Sequence, residues 1–212
     1  MQRYHTLNKL IDSKLTVVIR GQSVEESEII CEACIAGGIK SLEVTFTIPN
    51  ATQLLLELKK KHPDVLVGAG TVLDSETART AIIAGAEFIV SPSFDKKVAK
   101  LCNRYGITYI PGCMTINEIV DALQYGVSLV KLFPADEYKP SFIKIVQGPL
   151  PHVLIMPTGG VNIDNVTDWL EAGAAVVGVG GEITRPIKEN NREQITLNAQ
   201  NFLTEIEGHR HG

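Results

Sequence analysis

SLEVTFTIPNATQLLLELKKKHPDVLVGAG, residues 41–70, holds two short apolar runs with a helix-spaced segment between them. SLEVTF (41–46) and VLVGAG (65–70) read as strands, and 51–61 reads as a helix. Strand, helix and strand over so short a stretch make a parallel βαβ unit. The unit repeats in both directions. LTVVIR (15–20) precedes it, and FIVSP (88–92), ITYIPG (107–112), SLVKLFP (128–134), VLIMPTGG (153–160) and AVVGVGG (175–181) follow. Helical spacing covers 23–36, 75–84, 95–105, 115–125, 140–146, 163–172 and 191–206, and residues 1–14 read as a helix before the first strand. Ser23 with Glu26 has capping-box spacing. Glycines at 37–38, 85, 106, 126 and 173 fall where helices are expected to stop.

The strands are near-continuous apolar runs, as when both faces of a sheet are covered. They recur about every 20–25 residues, within the range of βαβ repeats. Eight such units fit a closed (β/α)8 TIM barrel of class α/β, one domain over 1–212 with an N-terminal helix. An open doubly wound sheet would carry a G-x-G-x-x-G turn after its first strand; Arg20-Gly21-Gln22-Ser23 does not.

Composition narrows the function classes. The 212 residues carry a net charge of −4, with 44% hydrophobic and 21% charged residues. This is an ordinary globular balance, and the mild acidity argues against a nucleic-acid or polybasic membrane surface. The polar start MQRYHTLNKLIDSKL has no apolar signal core, and no apolar run reaches spanning length, so a cytoplasmic protein is expected. Cys31, Cys34, Cys102 and Cys113 form no disulfide framework. The C-x-x-C of Cys31 and Cys34 lies in a helical pattern without a second ligand pair, and reads as plain helix cysteines. His5, His62 and His152 have no spaced partners, the terminal His209 and His211 read as a disordered tail, and no metal site is expected.

Chemistry in such barrels lies where strands end. Two charges sit inside apolar strands: Glu43 in LEVTF and Lys131 in LVKLF. Burying a charge costs several kcal/mol unless it is paired or functional (on the order of the unpaired-ion penalty). Alternation puts Ser41, Glu43 and Thr45 on one face and Leu42, Val44 and Phe46 on the other. The apolar face meets the helices, so Glu43 points inward; by the same reasoning Lys131 shares a face with Leu129 and Phe133. Strands 2 and 6 are both even-numbered, and alternate strands share interior layers, so Glu43 and Lys131 are expected to meet. The bland alternative is an ion pair that only holds the barrel. The sharper reading is an amine kept ready to attack a carbonyl. Glycine pairs at 159–160 and 180–181 are either tight turns or a phosphate cradle of backbone N–H groups.

GGIKSLEVTFTIP, VGAGTVLD, FIVSPS, IPGCMT, VKLFPA and MPTGGVNIDN, in this order, resemble the 2-keto-3-deoxy-6-phosphogluconate (KDPG) / 4-hydroxy-2-oxoglutarate (KHG) aldolases. The resemblance runs from strand 1 to strand 8. It implies a class I aldolase: a lyase that cleaves KDPG or KHG through a Schiff base on Lys131, needs no separate cofactor, and works as a cytoplasmic homotrimer in Entner–Doudoroff carbohydrate metabolism. Glu43 is then the general acid/base. Arg20 and Thr71 hold the pyruvate carboxylate, Thr45, Pro92 and Phe133 line the pocket, and Thr158, Gly159, Gly160, Gly180 and Gly181 form the phosphate site. The expected partner is a small 2-oxo acid, with no nucleic acid and no membrane. Alternatives are the galactonate epimer as substrate, or a phosphate-binding barrel that is not an aldolase. The chain departs from the family twice: Thr47 stands where some members carry Arg, with Arg20 as the replacement charge, and Glu182 follows the second glycine pair where many carry Ser. A carboxylate there is expected to repel a phosphate unless it points away.

Overall fold

The computed structural model describes residues 2–210. Eight strands, β1 (Leu15–Ile19), β2 (Ser41–Thr45), β3 (Leu66–Gly70), β4 (Phe88–Ser91), β5 (Thr108–Cys113), β6 (Leu129–Leu132), β7 (Leu154–Pro157) and β8 (Val177–Val179), pair in parallel in the order β7-β6-β5-β4-β3-β2-β1-β8. A bridge between Thr158 and Gly178, with Ala175 N–H donating to the Ile155 carbonyl at 2.9 Å, joins the two ends of that order. The sheet is therefore a (β/α)8 barrel, as the sequence implied.

Helix α1 (Gln2–Ser13) precedes β1. Between and after the strands come α2 (Val24–Ala36), α3 (Ala51–Lys61), α4 (Ser75–Ile83), α5 (Lys96–Tyr105), α6 (Ile116–Gln124), α7 (Phe142–Gln147), α8 (Val166–Glu171), α9 (Gly181–Thr184) and α10 (Arg192–Arg210). Side-chain caps fix several starts: Ser23, Asp74, Asp95 and Thr115 accept from the backbone N–H groups of Glu26, Thr77, Val98 and Glu118. The reciprocal capping box forms at Thr115 and Glu118. At α2 only half of the expected box is present, because Glu26 accepts from Gln22 rather than from Ser23. Gly38, Gly85, Gly106, Gly126 and Gly173 all take positive φ just past helix ends, the conformation that the stop positions require.

The core has two layers, set by strand alternation. Outward side chains such as Val17, Ile19, Leu42 and Val44 pack under the helices. Inward ones, among them Leu66, Phe88, Ile110, Leu129 and Met156, form a separate cluster inside the barrel, which Leu7 and Leu10 of α1 join from below. Helix α1 thus closes the floor of the barrel. The fully buried Leu10 alone contributes roughly 1.5–3 kcal/mol of hydrophobic stabilisation. Among the described residues no helix is long and apolar enough to cross a membrane. All four cysteines are free and buried; Cys31 and Cys34 face the core from α2, as plain helix residues.

The larger departures from the sequence expectation lie in the C-terminal part of the chain. Helix α8 starts at Val166 rather than 163, because the Asn162 carboxamide oxygen accepts from the N–H groups of Asp164 and Asn165 at 3.0 and 3.1 Å. That Asx turn competes with helix. After β8 the chain makes two further short pieces, α9 and a 3₁₀ turn at Arg185–Glu189, where no element was expected. Helix α10 runs to Arg210, past the expected end at 206; His211 lies outside the described residues.

Candidate active site

Glu43 and Lys131 meet inside the barrel, as alternation required. Both are buried, and Lys131 Nζ lies 3.4 Å from Glu43 Oε1. The amine also sits 5.1 Å from the centroid of the Phe133 ring, within reach of a cation–π contact. The other carboxylate oxygen, Glu43 Oε2, is buried with no hydrogen-bond partner. An unsatisfied buried acceptor is unfavourable by about 1–3 kcal/mol, more when charged, so this oxygen is poised for an incoming donor. Gly70 makes room for the carboxylate: a Cβ there would lie 2.2 Å from Glu43 Oε1.

Above the pair, at the C-terminal ends of the strands, opens a cavity of about 330 Å³. Lys131, Phe133 and the exposed Arg20 line it. Thr158, Gly159, Gly160, Gly180 and Gly181 line it as well. Thr158 is buried, and its hydroxyl has no hydrogen-bond partner. A Cβ at Gly178 would lie 2.2 Å from that hydroxyl, so the glycine gives it space. The 159–160 turn is held by Asn165, whose side chain donates to the Gly160 carbonyl at 2.9 Å and accepts from Asn162 N–H at 2.9 Å.

Three expected residues stand back from the cavity wall. Thr45 is fully buried; its hydroxyl donates to the Ile19 carbonyl at 2.8 Å and pairs with Thr47 Oγ1 at 2.9 Å, tying β2 to the end of β1 just before Arg20. Pro92 is half-buried against Gly112, where a Cβ would meet the Pro92 carbonyl at 2.0 Å. Thr71 follows β3 with φ 58°, a conformation that a β-branched residue adopts only under strain.

Arg185 is a cavity-lining residue that sequence reasoning did not single out. Its Nη2 lies 3.0 Å from Glu182 Oε1. The carboxylate expected to repel a phosphate is therefore paired with a cation. The only trace of this in the sequence is the i, i+3 spacing of the two residues.

Residues 7–197 match the aldolase family described as KDPG and KHG aldolase. A 2-dehydro-3-deoxy-phosphogluconate aldolase of Treponema pallidum is 35% identical over 190 residues, 88% of this chain and 90% of its own. A 2-dehydro-3-deoxy-6-phosphogalactonate aldolase of Escherichia coli is 31% identical over 173 residues, 81% of this chain and 84% of its own. Among solved structures, a KDPG aldolase from Legionella pneumophila, with pyruvate captured at low pH as a covalent carbinolamine intermediate, superposes with a TM-score of 0.85 at 32% identity, covering 92% of this chain and 96% of that one. A charged pair inside the barrel, a cavity above it and likeness over most of its length make this chain a member of the KDPG and KHG aldolase family, enzymes that cleave carbon–carbon bonds.

Proposed function

We propose that Lys131 is the Schiff-base lysine of a class I aldolase acting on 2-oxo acids, and that Glu43 moves the protons. The observation that carries this reading is the buried amine 3.4 Å from a buried carboxylate, at the base of the cavity. The neutral amine adds to C2 of the substrate and loses water to give an iminium, which serves as the electron sink. Glu43 takes the proton of the C4 hydroxyl, directly or through a water. The C3–C4 bond breaks, its electrons pass into the iminium, and an aldehyde leaves. Glu43 returns its proton to C3 of the enamine, and hydrolysis frees pyruvate and the lysine. One carboxylate thus acts as base and then as acid.

Arg20 and Thr71 orient the carboxylate of the substrate, where a guanidinium makes a two-point contact. Phe133 lines the reacting end, and Thr45 and Pro92, set back from the cavity wall, support the strands around it. Thr158, Gly159, Gly160, Gly180 and Gly181 take the distal phosphate, in keeping with their place in the cavity wall. The substrates are KDPG, cleaved to pyruvate and glyceraldehyde 3-phosphate, and KHG, cleaved to pyruvate and glyoxylate; no further cofactor takes part. The galactonate epimer is a second reading, favoured by the 31% identity to the E. coli phosphogalactonate aldolase.

The same reading makes 1–212 one domain, working as a cytoplasmic homotrimer in the Entner–Doudoroff route. The single closed sheet and the four unpaired thiols are in keeping with it. Exposed Leu56, Leu73, Ile83 and Ile145 offer apolar surface for assembly. Pyruvate with borohydride tests the chemistry: an irreversible mass adduct on Lys131 is expected, and no adduct, or one elsewhere, refutes it.

A further inference from the structure

Glu182 and Arg185 put two opposite charges on the wall of the cavity that Lys131 also lines. Their backbone is pinned. Thr184 Oγ1 donates to the Gly180 carbonyl at 3.3 Å, and Asn198 Nδ2 reaches from α10 to the Glu182 and Ile183 carbonyls at 3.2 and 3.4 Å. Their heads are free by comparison, with the Arg185 side chain 68% and that of Glu182 43% exposed. An exposed pair of this kind is held by only about 0.2–1 kcal/mol, so a ligand displaces it readily.

Arg185 is also placed over Gly181. A Cβ built on that glycine would lie 3.8 Å from Arg185 Nη2, with no other group within 4 Å. A guanidinium has five N–H donors, and Glu182 engages only one of its nitrogens, Nη2. The remaining donors are available to an anion lodged between the 159–160 and 180–181 glycines. A phosphate monoester carries roughly −1.5 to −2 charges near neutral pH and attracts the guanidinium more strongly than one carboxylate does.

We infer that Glu182 and Arg185 set the selectivity of this enzyme for the distal end of its substrate. Arg185 binds a phosphate there, and Glu182 competes with that phosphate for the same guanidinium. The inference rests on the aldolase reading above and adds to it a substrate filter made of two side chains. A phosphorylated 2-oxo acid must draw Arg185 away from Glu182 and then lie near the released carboxylate. An unphosphorylated one leaves the pair intact. The wild-type enzyme therefore favours the phosphate less than its cradle alone would allow.

The test compares kcat/KM for 2-keto-3-deoxygluconate with and without its 6-phosphate. Arg185→Ala should lower the phosphorylated-to-unphosphorylated ratio about 10- to 100-fold, the size of a lost charged hydrogen bond. Arg185→Lys should recover part of it, since it restores the charge but not the planar fork. Glu182→Gln should raise the ratio, and the gain should shrink as salt is added. If Arg185→Ala changes both substrates equally, or Glu182→Gln lowers the ratio, the inference is wrong. Borohydride trapping of pyruvate on the wild-type chain separates the two failures. Absence of an adduct sinks the aldolase reading itself, whereas an adduct with an unmoved ratio sinks only the filter.

Discussion

Lys131 Nζ lies 3.4 Å from Glu43 Oε1, although their strands, β6 and β2, stand on opposite sides of the barrel. The contact spans the interior at the one level where both strands turn a charge inward. It is longer than the ~2.7–2.9 Å of a tight charge-assisted hydrogen bond. The amine is held beside the carboxylate without being locked to it, the freedom that the proposed attack on a substrate carbon needs.

Lys131→Ala removes the proposed nucleophile. Borohydride trapping should vanish, and kcat/KM should fall by about 10⁴-fold or more, as when other covalent nucleophiles are deleted. Intact-mass spectrometry and steady-state kinetics read the two effects. A trapped adduct in this variant would move the chemistry to another lysine.

Glu43→Gln keeps the shape of the interior and removes the proton carrier. Turnover should drop by roughly 10²- to 10⁴-fold. Adduct formation with pyruvate should persist, because the amine remains. Loss of trapping together with turnover would mean that Glu43 mainly positions Lys131.

Gly70→Ala tests the packing under the site. The added methyl would sit 2.2 Å from Glu43 Oε1, so the carboxylate or β3 must shift. Overpacking of this kind is destabilising by about 1–3 kcal/mol. In a chain of this size each kcal/mol lowers the melting temperature by roughly 2–4 °C. Calorimetry measures that change, and a displaced carboxylate should also reduce turnover by about 10²-fold. Unchanged activity would show that the carboxylate tolerates relocation.

Arg20→Ala should raise KM for pyruvate-derived substrates by about 10- to 100-fold, the worth of a lost charged contact to a carboxylate. Thr45→Val should act on the same property more weakly, since the Thr45 hydroxyl ties β2 to the Ile19 carbonyl beside Arg20.

The thiols give a pH prediction. Burial pushes Cys34, Cys102 and Cys113 up to about 12 and Cys31 well above its usual range. A disulfide reagent at pH 8 should leave all four unreacted until denaturant is added. Above about 8.5 the unfolded chain sheds thiol protons that the folded chain retains. The unfolded state then binds fewer protons, so stability falls as pH rises from there toward about 12. Urea midpoints at pH 7 and 10 measure the loss.

What was legible in the sequence was periodic. Alternation in SLEVT placed Glu43 inward, and the apolar runs with glycine stops carried the eight strands. What was hidden depends on contacts between distant segments or on elements too short to have a period. Helix α9 has four residues, so nothing in its composition announced that Arg185 would stand over Gly181. Thr45 looked available on the inner face, but its partner is a carbonyl on the neighbouring strand. The late start of α8 came from an Asn side chain outcompeting helical spacing.

Leu7 and Leu10 of α1 stopper the barrel beneath Lys131. A floor closed by α1 leaves the cavity above Lys131 as its approach, and that imposes a queue. On the aldolase reading above, the aldehyde half of a cleaved substrate is free to leave, while the three-carbon half stays bonded to Lys131. The first must depart before the second can be released. Run backwards, the same queue loads pyruvate first and then admits whichever aldehyde arrives, so added pyruvate should exchange its methyl protons with solvent in the absence of any aldehyde.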